Sequence, residues 1–145
     1  MENHESSYNL FDWWKKVVFQ NYANFTGRAR RAEYWNFVLV NIIIYIPLYI
    51  VFIGSIFNDS ETFGTLSIAV LGLFALFMLV PSLAVLVRRL HDLNKSGWNF
   101  LFYFIPIAGP IIMLVWLCTE GNRFPNNYGD DPKNPGIPEL EFTRK

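Results

Sequence analysis

The sequence has few charged residues, one cysteine and no surplus of basic residues. Charged residues make up 17% of the 145, and twelve Lys and Arg balance twelve Asp and Glu. The zero net charge argues against a nucleic-acid-binding domain, because phosphate backbones require a basic surplus. A single cysteine excludes a disulfide framework and a cysteine-based zinc site. The 52% content of hydrophobic residues excludes a disordered chain.

Three long windows contain no charged residue at all: 34–58, 62–87 and 96–119. A helix needs about 20 mostly apolar residues to cross the hydrocarbon core of a bilayer. A soluble helix, in contrast, carries charges along its solvent-facing side. The sequence therefore predicts an all-α integral membrane protein with three transmembrane helices, at about 34–57, 63–87 and 98–118.

The third window contains helix breakers near its middle, at Pro106 and at the pair Gly109-Pro110. They predict either a kinked helix that crosses once or a re-entrant hairpin that returns the chain to the side where it entered. Because exposed peptide groups are costly in lipid, and two spans offer little shielding, we expect the kinked full crossing.

The regions around the spans differ in character. Apolar residues at helical spacing predict a short interfacial helix over 9–21, and the same helix could also pack on the spans as a cap. We expect one membrane domain over 1–145. This domain consists of a flexible end (1–8), the interfacial helix (9–21), a core (22–132) and a loose tail (133–145).

The distribution of Lys and Arg predicts the orientation. Five lie in the first 33 residues, three in the loop after the second span and four in the tail. Cytoplasmic segments are enriched in Lys and Arg. With three spans, the N-terminus and the loop 88–97 lie on the same side of the membrane. Together they contain eight of the twelve Lys and Arg residues, so we expect both to be cytoplasmic.

The basic residues near the spans are candidates for binding anionic lipids or partner proteins: Arg28, Arg30, Arg31, Arg88, Arg89, His91 and Lys95. Arginine binds phosphate through two parallel hydrogen bonds, and histidine transfers protons near neutral pH. These residues could in principle hydrolyse a phosphate ester, but charge at a helix end usually reflects topology and local pairing. Further ligands near His91 are too few to predict a metal site. We predict no catalytic residue, metal or cofactor.

Structural ion pairs are also predicted, among Glu33, Arg88, Arg89 and Asp92. Glu33 begins the first span, where reduced contact with water requires a cationic partner for a carboxylate. Arg88 and Arg89 end the second span at the same interface, with Arg30 as a local competitor. The spacing i,i+4 also favours a pair between Arg88 and Asp92.

Several short motifs together resemble a known bacterial family. They are Gly27-Arg28-x-Arg30-Arg31-x-Glu33-Tyr34-Trp35, Arg88-Arg89-Leu90-His91-Asp92, Lys95-Ser96-Gly97-Trp98, Gly121-Asn122 and Asn127-Tyr128-Gly129-x-Asp131-Pro132. Their order and spacing are similar to the inner-membrane family called domain of unknown function 805, over about residues 22–132. The resemblance implies a small multi-span protein of the bacterial plasma membrane and no established biochemistry.

We therefore expect a non-enzymatic structural or regulatory protein that binds partners or anionic lipids through a cytoplasmic basic face. Its expected partners are the lipid bilayer, other copies of itself or other membrane proteins, and not nucleic acid. The alternative is a small homo-oligomeric transporter or channel, because the break at 106–110 is similar to the discontinuous helices of transport sites. The ionisable groups usual at the midplane of such proteins are lacking.

Overall fold

The computed structural model describes residues 7–57 and 61–134, in which every regular element is a helix and no β-strand occurs. The elements are α1 (Leu10–Lys15), a π-helical segment that continues it (Lys16–Gln20), α2 (Arg31–Phe57), α3 (Glu61–Asp92), a 3-10 helix (Gly97–Phe104) and α4 (Ala108–Cys118). The all-α prediction is confirmed. The predicted flexible end 1–8 and loose tail 133–145 lie mostly outside the described residues.

The helices α2 and α3 are long and apolar enough to cross a membrane. They contain 27 and 32 residues, with mean hydropathies of 2.5 and 2.7 over their most apolar windows. At 1.5 Å per residue they are about 40 and 48 Å long, against about 30 Å for the hydrocarbon core. α2 contains the predicted span 34–57 and begins earlier, at Arg31. α3 contains the predicted span 63–87 and extends beyond it at both ends, from Glu61 to Asp92.

The N-terminal helix is present and packs on the two long helices. It begins with a capping box, in which Asn9 and Asp12 each accept a hydrogen bond from the other's backbone N–H. Val17 is fully buried in a cluster with Phe37 of α2 and Met78 of α3. This helix therefore fills the space beside α2 and α3, as the cap alternative requires.

The single kinked helix predicted over 98–118 does not form, and the chain instead takes the hairpin alternative. The 3-10 helix and α4 are two arms of a hairpin (97–118), joined by a reversal at 105–107. Lys95 Nζ lies 4.3 Å from the centroid of the Trp116 ring, so the beginning and the end of the segment are neighbours. Both ends lie beside the C-terminal end of α3.

Steric fit and local hydrogen bonds explain the reversal. A Cβ on Gly109 would lie 1.8 Å from the carbonyl oxygen of Phe102, so only glycine lets the two arms approach this closely. The turn also satisfies its own backbone, because the N–H groups of Ile105, Ala108 and Gly109 donate to the carbonyls of Phe102, Pro106 and Ile105. The cost of exposed peptide groups, which favoured a full crossing, is thereby reduced.

Candidate functional site

Six charged residues meet where α2 begins and α3 ends, and we call them the ion-pair cluster: Lys16, Arg28, Glu33, Arg88, Arg89 and Asp92. All except the half-buried Lys16 are buried. Four cations surround two carboxylates, so partners other than carboxylates must meet the remaining positive charge. No residue of the N-terminal helix was singled out from the sequence, and the place of Lys16 in this cluster was therefore missed.

Glu33 is held between two cations from different segments. Its Oε1 accepts a hydrogen bond of 2.5 Å from Arg88 Nη1, and its Oε2 accepts one of 2.7 Å from Lys16 Nζ. Of the two arginines that the sequence favoured as partners of Glu33, both of which lie in α3, Arg88 is the one that pairs with it. The Nε and Nη2 atoms of Arg88 are buried and make no hydrogen bond within the described part of the chain.

Asp92 is the second carboxylate of the cluster. Its Oδ1 accepts from Arg28 Nε at 3.0 Å, and its Oδ2 accepts from Arg89 Nη1. The predicted partner at i,i+4, Arg88, is instead committed to Glu33. A Cβ on Gly121 would lie 1.9 Å from Asp92 Oδ2, so the segment after α4 passes directly over this carboxylate.

Backbone carbonyls meet the remaining positive charge of the cluster. Arg89 donates to the carbonyls of Leu117 and Thr119 at the end of α4, where the helix dipole places partial negative charge. Arg28 donates to the carbonyls of Asn122 and Phe124. The two arginines thus hold the segment 119–134, which we call the tail, against the end of α3.

His91 is also buried and faces the tail. Its Nδ1 lies 3.2 Å from the carbonyl oxygen of Gly27. Its ring stacks on that of Tyr128, with centroids 3.8 Å apart and planes inclined by 5°. Asn126 Nδ2 donates to the His91 carbonyl at 2.9 Å. His91 therefore links α3 to the tail and to the segment that precedes α2, which contains Gly27.

Of the seven predicted binding residues, Arg28, Arg88, Arg89 and His91 are buried and serve internal contacts. The other three lie nearer the surface. Arg30 donates to the Pro132 carbonyl, Arg31 lies 3.8 Å from Glu120, and Lys95 covers the Trp116 ring. The predicted basic face is therefore smaller than the sequence suggested.

One further ion pair lies on the exposed side of the tail. Glu120 Oε1 accepts a hydrogen bond of 2.6 Å from Lys133 Nζ. This bond and the charge of Lys133, with a smaller contribution from Arg31, hold the pKa of Glu120 below its ordinary value. Within residues 7–57 and 61–134, no group of three or more His, Cys, Asp and Glu side chains could hold a metal ion.

The fold and the cluster define a small helical membrane protein in which ion pairs hold an N-terminal segment, a helix pair, a hairpin and a tail together at one end. The chain belongs to the family described as protein of unknown function (DUF805), whose model matches residues 22–130. This match confirms the resemblance found in the sequence motifs.

Two relatives from Escherichia coli (strain K12) cover nearly all of the same region. Inner membrane protein YhaI is 41% identical over 121 residues, which is 83% of this chain and 95% of the relative. Inner membrane protein YhaH is 38% identical over 122 residues, 84% of this chain and 97% of the relative. An inner-membrane location fits this chain and its two long apolar helices. No solved structure matches it.

Proposed function

We propose that this protein is a non-enzymatic inner-membrane component with two full spans and one re-entrant hairpin, whose cytoplasmic face binds anionic lipid headgroups. The observation that carries the proposal is the distribution of charge. All ten Lys and Arg among the described residues lie at the end of the ion-pair cluster. At the other end of α2 and α3, the only described charged residue is Glu61.

The hairpin strengthens the argument for orientation. A third full span would place Arg123 and Lys133 across the membrane from Arg88, whereas the hairpin returns them to the same side. Lys and Arg mark the cytoplasmic side, so the N-terminal helix, the loop 88–97 and the tail are cytoplasmic in this proposal. Each hairpin arm is about 16 Å long, roughly half the thickness of the hydrocarbon core.

Exposed cations supply the headgroup-binding surface. The side chains of Lys15, Arg31, Arg123 and Lys133 are 62%, 44%, 71% and 48% exposed. Basic residues at the cytoplasmic surface attract anionic lipids, each contributing about 1 kcal/mol. The buried cluster positions this surface and is not itself available to headgroups.

A catalytic role finds no support in the geometry of the cluster. Glu33 and Asp92 each accept hydrogen bonds from two cations, and Arg28 and Arg89 are committed to carbonyls. The transport alternative also gains no support, because the break that suggested it lies at the exposed tip of the hairpin. Ile107 at that tip is 84% exposed.

Cysteine accessibility tests the topology. In a Cys118→Ser background, Asn127→Cys reports on the tail and Thr62→Cys reports on the opposite end of α3. With a membrane-impermeant thiol reagent on intact spheroplasts, we expect labelling at 62, and labelling at 127 only after permeabilisation. Labelling at both 62 and 127 in intact spheroplasts would indicate a full crossing of the third segment, and labelling at 127 alone would indicate the opposite orientation. Either result would overturn the proposal.

Lipid selectivity tests the binding role. We expect the purified protein to retain phosphatidylglycerol over phosphatidylethanolamine, two lipids whose headgroups both carry hydrogen-bond donors and differ in net charge, in native mass spectrometry, with a preference that falls as ionic strength rises. The variant Lys15→Gln with Arg31→Gln and Arg123→Gln should lose most of that preference. Glu61→Gln at the opposite end is the matched control and should keep it. An unchanged preference in the triple variant would contradict the proposed surface.

A further inference from the structure

A second site lies apart from the exposed cations. A cavity of about 440 Å³ opens between the end of α3, the first arm of the hairpin and the tail. Its volume is within the range of sites that hold small ligands. No Lys, Arg, Asp or Glu lines it. A ligand in this cavity would therefore be recognised by shape and hydrogen bonding rather than by charge.

The polar end of the cavity contains an unused hydrogen-bond acceptor. His91 is only 9% exposed, and its Nδ1 faces the Gly27 carbonyl. A carbonyl oxygen only accepts, so Nδ1 carries the hydrogen and Nε2 of the neutral ring is an acceptor. Nε2 makes no hydrogen bond within the described residues and faces Gly97, where an added Cβ would lie 3.5 Å away. Nε2 is not among the fully buried atoms of the chain, so it is open to the cavity, and a ligand there that donates a hydrogen bond can reach it.

The other end of the cavity is apolar and points along α3. Leu83 and Val87 form one wall, and Phe100 of the 3-10 helix faces them. Leu83 precedes His91 by eight residues, about 12 Å along the helix axis. The cavity therefore changes from polar to apolar in the direction from the ion-pair cluster toward the middle of the spans. This gradient matches an amphiphile oriented as in the cytoplasmic leaflet.

We propose that this cavity binds one glycerophospholipid whose headgroup carries a hydrogen-bond donor. The headgroup donates to His91 Nε2, and one acyl chain lies against Leu83, Val87 and Phe100. Because the lining is uncharged, this binding does not depend on net headgroup charge or on salt. It is therefore distinct from the salt-sensitive binding of the exposed cations.

Two lipids of equal charge provide the probe. Phosphatidylethanolamine carries ammonium hydrogens that can be donated, whereas phosphatidylcholine carries none. Using the purified full chain and native mass spectrometry, we expect one phosphatidylethanolamine to be retained about threefold to tenfold better than phosphatidylcholine, as the net value of one hydrogen bond predicts. This preference should persist as ionic strength rises.

Two variants test the two ends of the cavity. Leu83→Trp fills the apolar end and should abolish retention, whereas Leu76→Trp on the same helix, at a residue 67% exposed, should leave it unchanged. His91→Phe keeps a ring to stack on Tyr128 but removes the acceptor, so it should retain both lipids equally. Thermal unfolding of each variant in detergent shows whether the fold is kept. If His91→Phe fails to fold, Leu83→Trp against Leu76→Trp decides the question.

Other outcomes would overturn the proposal. Equal retention of the two lipids by the unchanged protein would show that no headgroup donor is recognised. Full retention of phosphatidylethanolamine by Leu83→Trp would show that the lipid does not bind in this cavity. Retention that disappears in high salt, or in the triple variant of exposed cations, assigns the lipid to the surface instead. If Leu83→Trp converts a dimer to a monomer, the occupant is a second copy of the chain. If the triple variant loses the salt-sensitive preference of the exposed cations but still retains phosphatidylethanolamine over phosphatidylcholine, the cavity site is supported.

Discussion

Glu33 of α2 and Arg88 of α3 form a buried ion pair, with 2.5 Å between Oε1 and Nη1. The two residues are 55 positions apart in the sequence, Glu33 in the first turn of α2 and Arg88 in the last turns of α3. The pair therefore fixes how the two long helices meet. Lys16 on the other carboxylate oxygen adds the N-terminal helix to the same contact.

Glu33→Gln should lower the free energy of unfolding by about 3–5 kcal/mol, because it leaves Arg88 buried without a countercharge. The measurement is denaturant titration in detergent micelles. The double variant Glu33→Met with Arg88→Met removes both charges and should cost less than Glu33→Gln alone. A loss below about 1 kcal/mol for Glu33→Gln would show that the pair contributes little, as exposed pairs do.

The hairpin makes a second prediction, at Gly109. A Cβ there would overlap the Phe102 carbonyl, and a backbone atom cannot move aside as a side chain can. Gly109→Ala should therefore cost at least about 1–3 kcal/mol, as overpacking does. Gly72→Ala in α3 is the matched control, because its Cβ would meet nothing within 4 Å. It should be neutral or slightly stabilising. Equal effects of the two substitutions would contradict the close approach of the arms.

The two long apolar helices could be predicted from the sequence because a run of 25 residues without charge is what the hydrocarbon core requires of a helix. The hairpin could not be predicted in the same way. An uncharged window of 24 residues fits one long helix or two short antiparallel arms equally well, and the choice depends on the contact between Gly109 and Phe102. Local spacing cannot show that contact.

The site was predicted only in part for a related reason. The arginines were visible from their place at the helix ends, but their partners depend on where the tail lies. Arg28 and Arg89 bind tail and hairpin carbonyls, which carry no sequence signal because every residue has one. A third segment that crosses the membrane would place the tail on the opposite side from Arg28 and Arg89. With that expectation, these contacts could not be inferred from the sequence.

Tail docking gives a third prediction, at Gly121. Any side chain there would displace the Asp92 carboxylate, which Arg28 and Arg89 hold in place. Gly121→Ala should therefore loosen the tail and increase the rate at which a thiol reagent modifies Asn127→Cys in permeabilised cells. Gly54→Ala, where an added Cβ meets nothing within 4 Å, should leave that rate unchanged. An unchanged rate in Gly121→Ala would mean that Asp92 does not anchor the tail.

The last prediction concerns a hydrogen bond that compensates for a proline inside α3. Pro81 has no N–H, so the carbonyl of Phe77 four residues earlier loses its helical partner. The hydroxyl of Tyr22 donates to that carbonyl at 2.7 Å. Tyr22→Phe leaves the carbonyl without a partner and should cost about 1–3 kcal/mol of unfolding free energy.

A double-variant cycle isolates this bond. In a Pro81→Ala background, the new N–H of residue 81 can donate to the Phe77 carbonyl, so Tyr22→Phe should cost at least about 1 kcal/mol less than it does in the unchanged protein. Tyr49→Phe, at an exposed tyrosine of α2, is the control for loss of a hydroxyl and should change stability by less than about 0.5 kcal/mol. If Tyr22→Phe has the same cost with proline or alanine at position 81, the hydroxyl stabilises the N-terminal segment by another route and the compensation for proline is refuted.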